Sequence, residues 1–230
     1  MANFNTHITI AAAGSGLAST AIFKAGMVGA PEALVLTLAG TIGGILPDVD
    51  LKYSYPSKII FSFLGVFSAL LAVFSVQRDV SVVELWVFGL LVFFSIRYLL
   101  WGIFHRLTTH RGALHSVAAG LLFLCLTTNL SFHILGHSTI FSWFLGVFVF
   151  YGFLIHLILD EAYSVDFMNH RVKRSFGTAL KVVDLDKFRN SLLIVMMTVF
   201  LWYLAPETGS FFGVVSDMQS IDFFKERFLP

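Results

Sequence analysis

Ile140–Asp160 reads IFSWFLGVFVFYGFLIHLILD, and this stretch decides the fold. It is apolar along almost its whole length and closes on His156 and Asp160. At 1.5 Å of rise per residue such a run can cross the ~30 Å hydrocarbon core of a bilayer as one helix. The i, i+4 spacing stacks the imidazole and the carboxylate on one helical face. The unit to look for elsewhere is therefore a membrane helix with polar chemistry at one end.

The rest of the chain has the same character. Of 230 residues, 57% are hydrophobic and 13% charged, about half the charge of a soluble domain. The 26 Phe against 4 Trp and 6 Tyr give aromatic surface that mostly lacks a polar handle. Disorder, collagen-like repeats and a disulfide-stapled secreted fold are excluded. A formal net charge of +1 offers no field for gathering nucleic acid, and none is expected as a partner. The single cysteine, Cys125, can form no internal disulfide and reads as packing.

Further apolar runs fall at about 8–30, 33–46, 59–76, 82–104, 113–130 and 191–205. The expected fold is an all-α, polytopic transmembrane helical bundle of six to seven membrane segments, with a polar site at one membrane face. No basic residue precedes the first run, so it is expected to remain in the mature protein rather than act as a secretory signal. The first two runs read as a pair, crossing fully or forming a re-entrant hairpin, because Gly14, Gly16 and the alanines 11–13 suit close helix approach. The organisation is a membrane domain over 1–205, in which 161–190 is a polar interfacial connection or cap, and a C-terminal tail over 206–230.

Counting parity puts the connections 47–58, 105–112 and 161–190 on the same side as the N-terminus. Lys and Arg divide as ten on that side against three on the other (Arg78, Lys225, Arg227), with Lys24 and Arg97 inside spans. The positive-inside rule makes the ten-charge side cytoplasmic. The expected location is the bacterial inner membrane, multi-pass, with the bilayer as partner.

Four polar groups fall on that one side. His7 stands at the mouth of the first run. Leu46-Pro47-Asp48-Val49-Asp50 closes the second, where proline biases the preceding residue away from helix, so both carboxylates are expected on an extended, exposed turn and pointing the same way. The connection His105–Ser116 contains His110, Arg111 and His115, and the quoted stretch ends in His156 and Asp160. Each has a bland reading singly: an interfacial histidine, a turn, an orientation signal, a hydrogen-bonded pair. Together they are imidazoles and carboxylates without cysteine, the ligand set of zinc, manganese or iron. His133 and His137 fall on the opposite side and read as interfacial, and His170 lies in the polar connection.

His7, Leu-Pro-Asp-Val-Asp (46–50), His-Arg-Gly-Ala-Leu-His-Ser (110–116) and Gly-Phe-Leu-Ile-His-Leu-Ile-Leu-Asp (152–160) together resemble the YdjM-like family of membrane-bound metal-dependent hydrolases, some of them regulated by LexA. The pattern carries over to His7, Asp48, Asp50, His110, Arg111, His115, His156 and Asp160. Lys173–Lys181 looks like an element of one branch of that family. Leu114 stands where a Thr is frequent and Leu51 where a His is frequent, so His105 is a candidate substitute ligand. The resemblance implies a hydrolase that uses water activated by a divalent metal, zinc first and manganese or iron as alternatives.

The expected ligands are His7, Asp48, Asp50, His110, His115, His156 and Asp160, with Asp50 orienting or deprotonating water and Arg111 neutralising an oxyanion. A phosphoester or lipid-linked substrate suits the pairing of guanidinium with metal. The rival readings are a metal-ion or proton transporter through the same cluster, a bis-histidine haem protein and a scaffold with a decayed site.

Overall fold

The computed structural model describes residues 3–76, 80–108, 112–166, 171–172 and 180–216. Among these are eight helices: α1 (Phe4–Lys24), α2 (Ala30–Gly43), α3 (Tyr55–Ser75), α4 (Val82–Arg106), α5 (Val117–Ile134), α6 (Thr139–Ala162), α7 (Phe188–Leu204) and α8 (Gly209–Val215). Within α4, Ser95–Leu100 is wound as π-helix, and α5 ends in a π turn at Leu130–Ile134. The one sheet among the described residues is a two-residue antiparallel pair, Val165–Asp166 with Arg171–Val172.

Small polar residues set most helix starts. Asn3, Ser54, Ser81, Ser116 and Ser138 each accept a hydrogen bond from a backbone N–H in the first turn of α1, α3, α4, α5 and α6, satisfying donors that no helical carbonyl reaches. Glu84 closes a capping box on α4 through the backbone N–H of Ser81 at 2.9 Å. Gly26 (φ +73°) turns α1 into α2, and Gly136 (φ +70°) turns α5 into α6, a left-handed conformation that a side chain would disfavour.

The chain divides into two compact units, Met1–Pro47 with Arg111–Pro230, and Asp48–His110. In the first, α2 and α5 pack on α6, α1 packs on both α2 and α6, and α7 packs on α5. Its main core includes Leu36, Leu124, Phe141, Trp143, Phe144, Phe148 and Val149. A smaller cluster of Ala119, Phe153 and Leu157 lies toward the other end of α6. The second unit is the α3–α4 pair, whose surfaces are mostly exposed. There Arg97 Nε donates to Ser62 Oγ at 2.9 Å, tying the π-helical stretch to α3.

Four helices are long and apolar enough to cross a membrane: α3, α4, α5 and α6. A fifth span results if α7 and α8, bent by 89°, form one broken crossing. The expected six to seven segments therefore become four or five among the described residues. The difference lies in the first pair: α1 intersperses its apolar residues with Thr, His, Ser, Gly and Lys, which lower its mean hydropathy. The 14 residues of α2 rise ~21 Å, short of a bilayer core.

One face of the pair is built for packing against protein. His7, Ala11, Ser15 and Ser19 form the buried face of α1. A Cβ on Gly152 of α6 would collide with the carbonyl of Gly40, and one on Gly43 with the carbonyl of Val149. Close approach through such small residues is how membrane helices gain dispersion contact without a hydrophobic driving force.

Candidate metal centre

The end of α6 is the floor of a buried polar cluster in the first unit. His156 and Asp160 face inward one turn apart, and both are buried. The tight α2–α6 contact brings the C-terminal end of α2 over His156, so that Nδ1 of His156 donates to the carbonyl of Gly44 at 2.8 Å. A carbonyl only accepts, so the proton sits on Nδ1 and the lone pair of Nε2 is turned toward Asp160. This is the outer-shell arrangement that fixes the tautomer and orientation of a metal-ligating histidine.

His7, from the first turns of α1, places Nε2 3.2 Å from Asp160 Oδ1. His115, immediately before the N-cap of α5, places Nε2 3.6 Å from Asp160 Oδ2. Nε2 of His156 lies 3.9 Å from the same oxygen. Three imidazoles thus surround one carboxylate, and all four side chains are at most 1% exposed. Donors bonded at ~2.0–2.2 Å to one tetrahedral ion stand roughly 3.3–3.5 Å apart, so these separations fit ligands around a cation. Nδ1 of His7 has no hydrogen-bond partner among the described residues, a costly state for a buried polar group unless something else engages it. His7, His156 and Asp160 offer ligand atoms all within 4.8 Å of one another.

The N-terminus of α5, beside His115, is closed by the far end of the polar connection. Val117 N–H donates to Lys181 O at 2.9 Å and Ala118 N–H to Val182 O at 3.0 Å. Lys181 in turn pairs with Asp184 at 3.0 Å.

Asp48 and Asp50 are both buried, in the 3₁₀ turn Pro47–Asp50, which corrects the expectation of an extended, exposed turn. Leu51 N–H and Ser54 Oγ both donate to the carbonyl of Asp48, at 3.2 and 2.9 Å, and wind the chain tightly. With three residues per turn, carboxylates two apart leave in different directions, so the shared direction expected of extended chain does not hold. His110, Arg111 and His170 lie outside the described residues, as does nearly all of Lys173–Lys181.

His105 is no substitute ligand. Its Nδ1 donates to Trp101 O at 2.8 Å, and its Nε2 accepts from Ser57 Oγ at 3.2 Å. The Trp101 Nε1 donates to that same hydroxyl at 3.0 Å. Both imidazole nitrogens are consumed inside the α3–α4 unit. Sequence reasoning did not find Gly44, whose contribution is a backbone carbonyl, or the Gly40, Gly43 and Gly152 contacts. The only signal was the Gly-Gly pair three residues ahead of Pro47.

Fold and site together define a multi-helix membrane protein with an enclosed imidazole–carboxylate cluster. The chain matches the YdjM inner membrane protein family over residues 1–206 and belongs to it. The matched region holds α1 to α7 and the whole cluster. No curated protein and no solved structure matches the chain.

Proposed function

We propose that the protein is a membrane-bound metal-dependent hydrolase acting on a phosphoester or lipid-linked substrate. The observation that carries this reading is Asp160, a buried carboxylate between three buried imidazoles at ligand-like separations, one of them tautomerically fixed by Gly44. The donor set, nitrogen and oxygen without sulfur, fits zinc, with manganese or iron as alternatives. A divalent ion held there would act as a Lewis acid and make water nucleophilic near neutral pH.

The protein's own residues would do the rest. His7, His115, His156 and Asp160 bind, and Gly44 orients His156. Asp48 and Asp50 are proposed as further ligand candidates. Asp50 is proposed to orient or take a proton from water, His110 to add a ligand and Arg111 to hold an anionic oxygen of the substrate. The charge division of the connections supports a cytoplasmic site on residues 1–205, with 161–190 as its polar cap and 206–230 as a tail.

The transporter alternative has less support, because the buried face of α6 between Ser142 and His156 is aromatic and aliphatic, with Phe144, Phe148, Val149 and Phe153. Protein purified without chelator decides between them. Stoichiometric zinc or manganese with hydrolysis of a phosphodiester in detergent is expected, with the hydrolysis abolished and the bound metal reduced in His156→Ala. Metal flux in sealed vesicles with no hydrolysis would overturn the enzymatic reading.

A further inference from the structure

The orientation of the rings in the cluster sets how many ions it can hold. Resting on that reading, we infer that the cluster holds two divalent ions bridged by Asp160. The rings of His7 and His156 are stacked face to face, with centroids 3.7 Å apart and planes 12° from parallel. An imidazole nitrogen presents its lone pair in the ring plane, so a ligated ion lies near that plane at ~2.0–2.1 Å from nitrogen. Stacked rings are held apart by carbon–carbon contact at roughly 3.5 Å. An ion in the plane of one ring is therefore displaced from the other plane by more than the length of a metal–nitrogen bond. His7 and His156 cannot ligate the same ion, although distance alone groups their donors together.

The carboxylate divides in the same way. Oδ1 of Asp160 faces His7, while Oδ2 faces His115 and His156. The His115 ring is turned 72° from that of His156, with centroids 5.4 Å apart, so those two lone pairs can converge where the stacked pair cannot. One ion belongs with His7 and Oδ1, the other with His115, His156 and Oδ2. Ions lying in two planes that far apart can adopt the ~3.5–4 Å spacing of two-metal hydrolytic centres, in which the paired ions clamp the attacking and leaving oxygens of a phosphoester.

The test is elemental analysis and electron paramagnetic resonance of the full chain in detergent, loaded with manganese(II). Two ions per chain and a spin-coupled spectrum are expected. His7→Ala should retain one ion and give the uncoupled six-line signal, and Asp160→Asn should abolish the coupling. One ion per chain with an uncoupled spectrum in the unmodified protein would overturn the two-ion inference and leave a mononuclear site standing. No bound ion would overturn the metal reading itself. The measurement on the unmodified protein decides even if neither variant inserts.

Discussion

The two ends of α6 both carry histidine-rich polar clusters, and they are built on opposite principles. At the Asp160 end, three imidazoles crowd one carboxylate. At the other end, His133 Nε2 donates to Leu204 O at 2.9 Å, and His137 Nδ1 and Ser131 Oγ share a hydrogen bond at 3.1 Å. Ser142 Oγ donates to Ser131 at 2.9 Å, and Asn129 Nδ2 donates to both Cys125 O and Leu201 O. There the polar groups tie α5, α6 and α7 together, each through a neutral partner. A histidine that hydrogen-bonds a carbonyl or hydroxyl fastens helices, whereas histidines pressed around a carboxylate concentrate donor atoms that a cation can use. His105, bonded through both nitrogens, belongs with the fasteners.

If this contrast is right, Asp160→Ala has the largest effect: all bound metal and any phosphodiester hydrolysis disappear, while His137→Ala leaves both unchanged, as elemental analysis and turnover would show. Metal loss in His137→Ala would erase the distinction between the two ends. Next comes Gly152→Ala, which forces a methyl against the Gly40 carbonyl. Overpacking of this kind costs about 1–3 kcal/mol, read as a lower melting temperature, and lifting Gly44 from His156 should also weaken metal retention.

Asn129→Ala sharpens the comparison from the other side. It removes the link to the half-buried Leu201 carbonyl, a loss of about 0.5–1.5 kcal/mol, with metal content unchanged. Acidification should release the ions, because each ligating imidazole must be free of its proton to bind. Following retained metal against pH should show a dependence steeper than one proton. The smallest effect expected is that of His133→Ala, about 0.5–1.5 kcal/mol from one exposed hydrogen bond, with unaltered metal content.

Much of this was legible in order along the chain. The apolar runs mark α3 to α7 to within a few residues, because a segment that must satisfy its backbone in lipid has few options besides a helix. His156 and Asp160 read as one face because helical periodicity is local. The α1–α2 pair reads from sequence as two full crossings or a re-entrant hairpin, and neither helix is among the four long and apolar enough to cross, because a run of apolar residues does not reveal how far a single helix continues. The turn at Asp48 and Asp50 reads from sequence as extended but is wound as a 3₁₀ turn, because the hydrogen bonds that wind it come from Leu51 and Ser54, and proline restrains only its neighbours. Gly44 left almost no trace, since a carbonyl has no residue identity to read.

By itself the sequence determined that the chain resides in a membrane, that it is helical, and that its imidazoles and carboxylates cluster toward the helix ends. These follow from composition and short-range periodicity, which act within a few turns of the chain. Only the tertiary structure decided that His7 and His115, more than a hundred positions apart, meet at one carboxylate. It alone also showed that two of the rings lie face to face and that His105 is already engaged. Those outcomes depend on how closely glycine lets α2 approach α6 and on where each lone pair points. Both are set by packing across elements rather than along them.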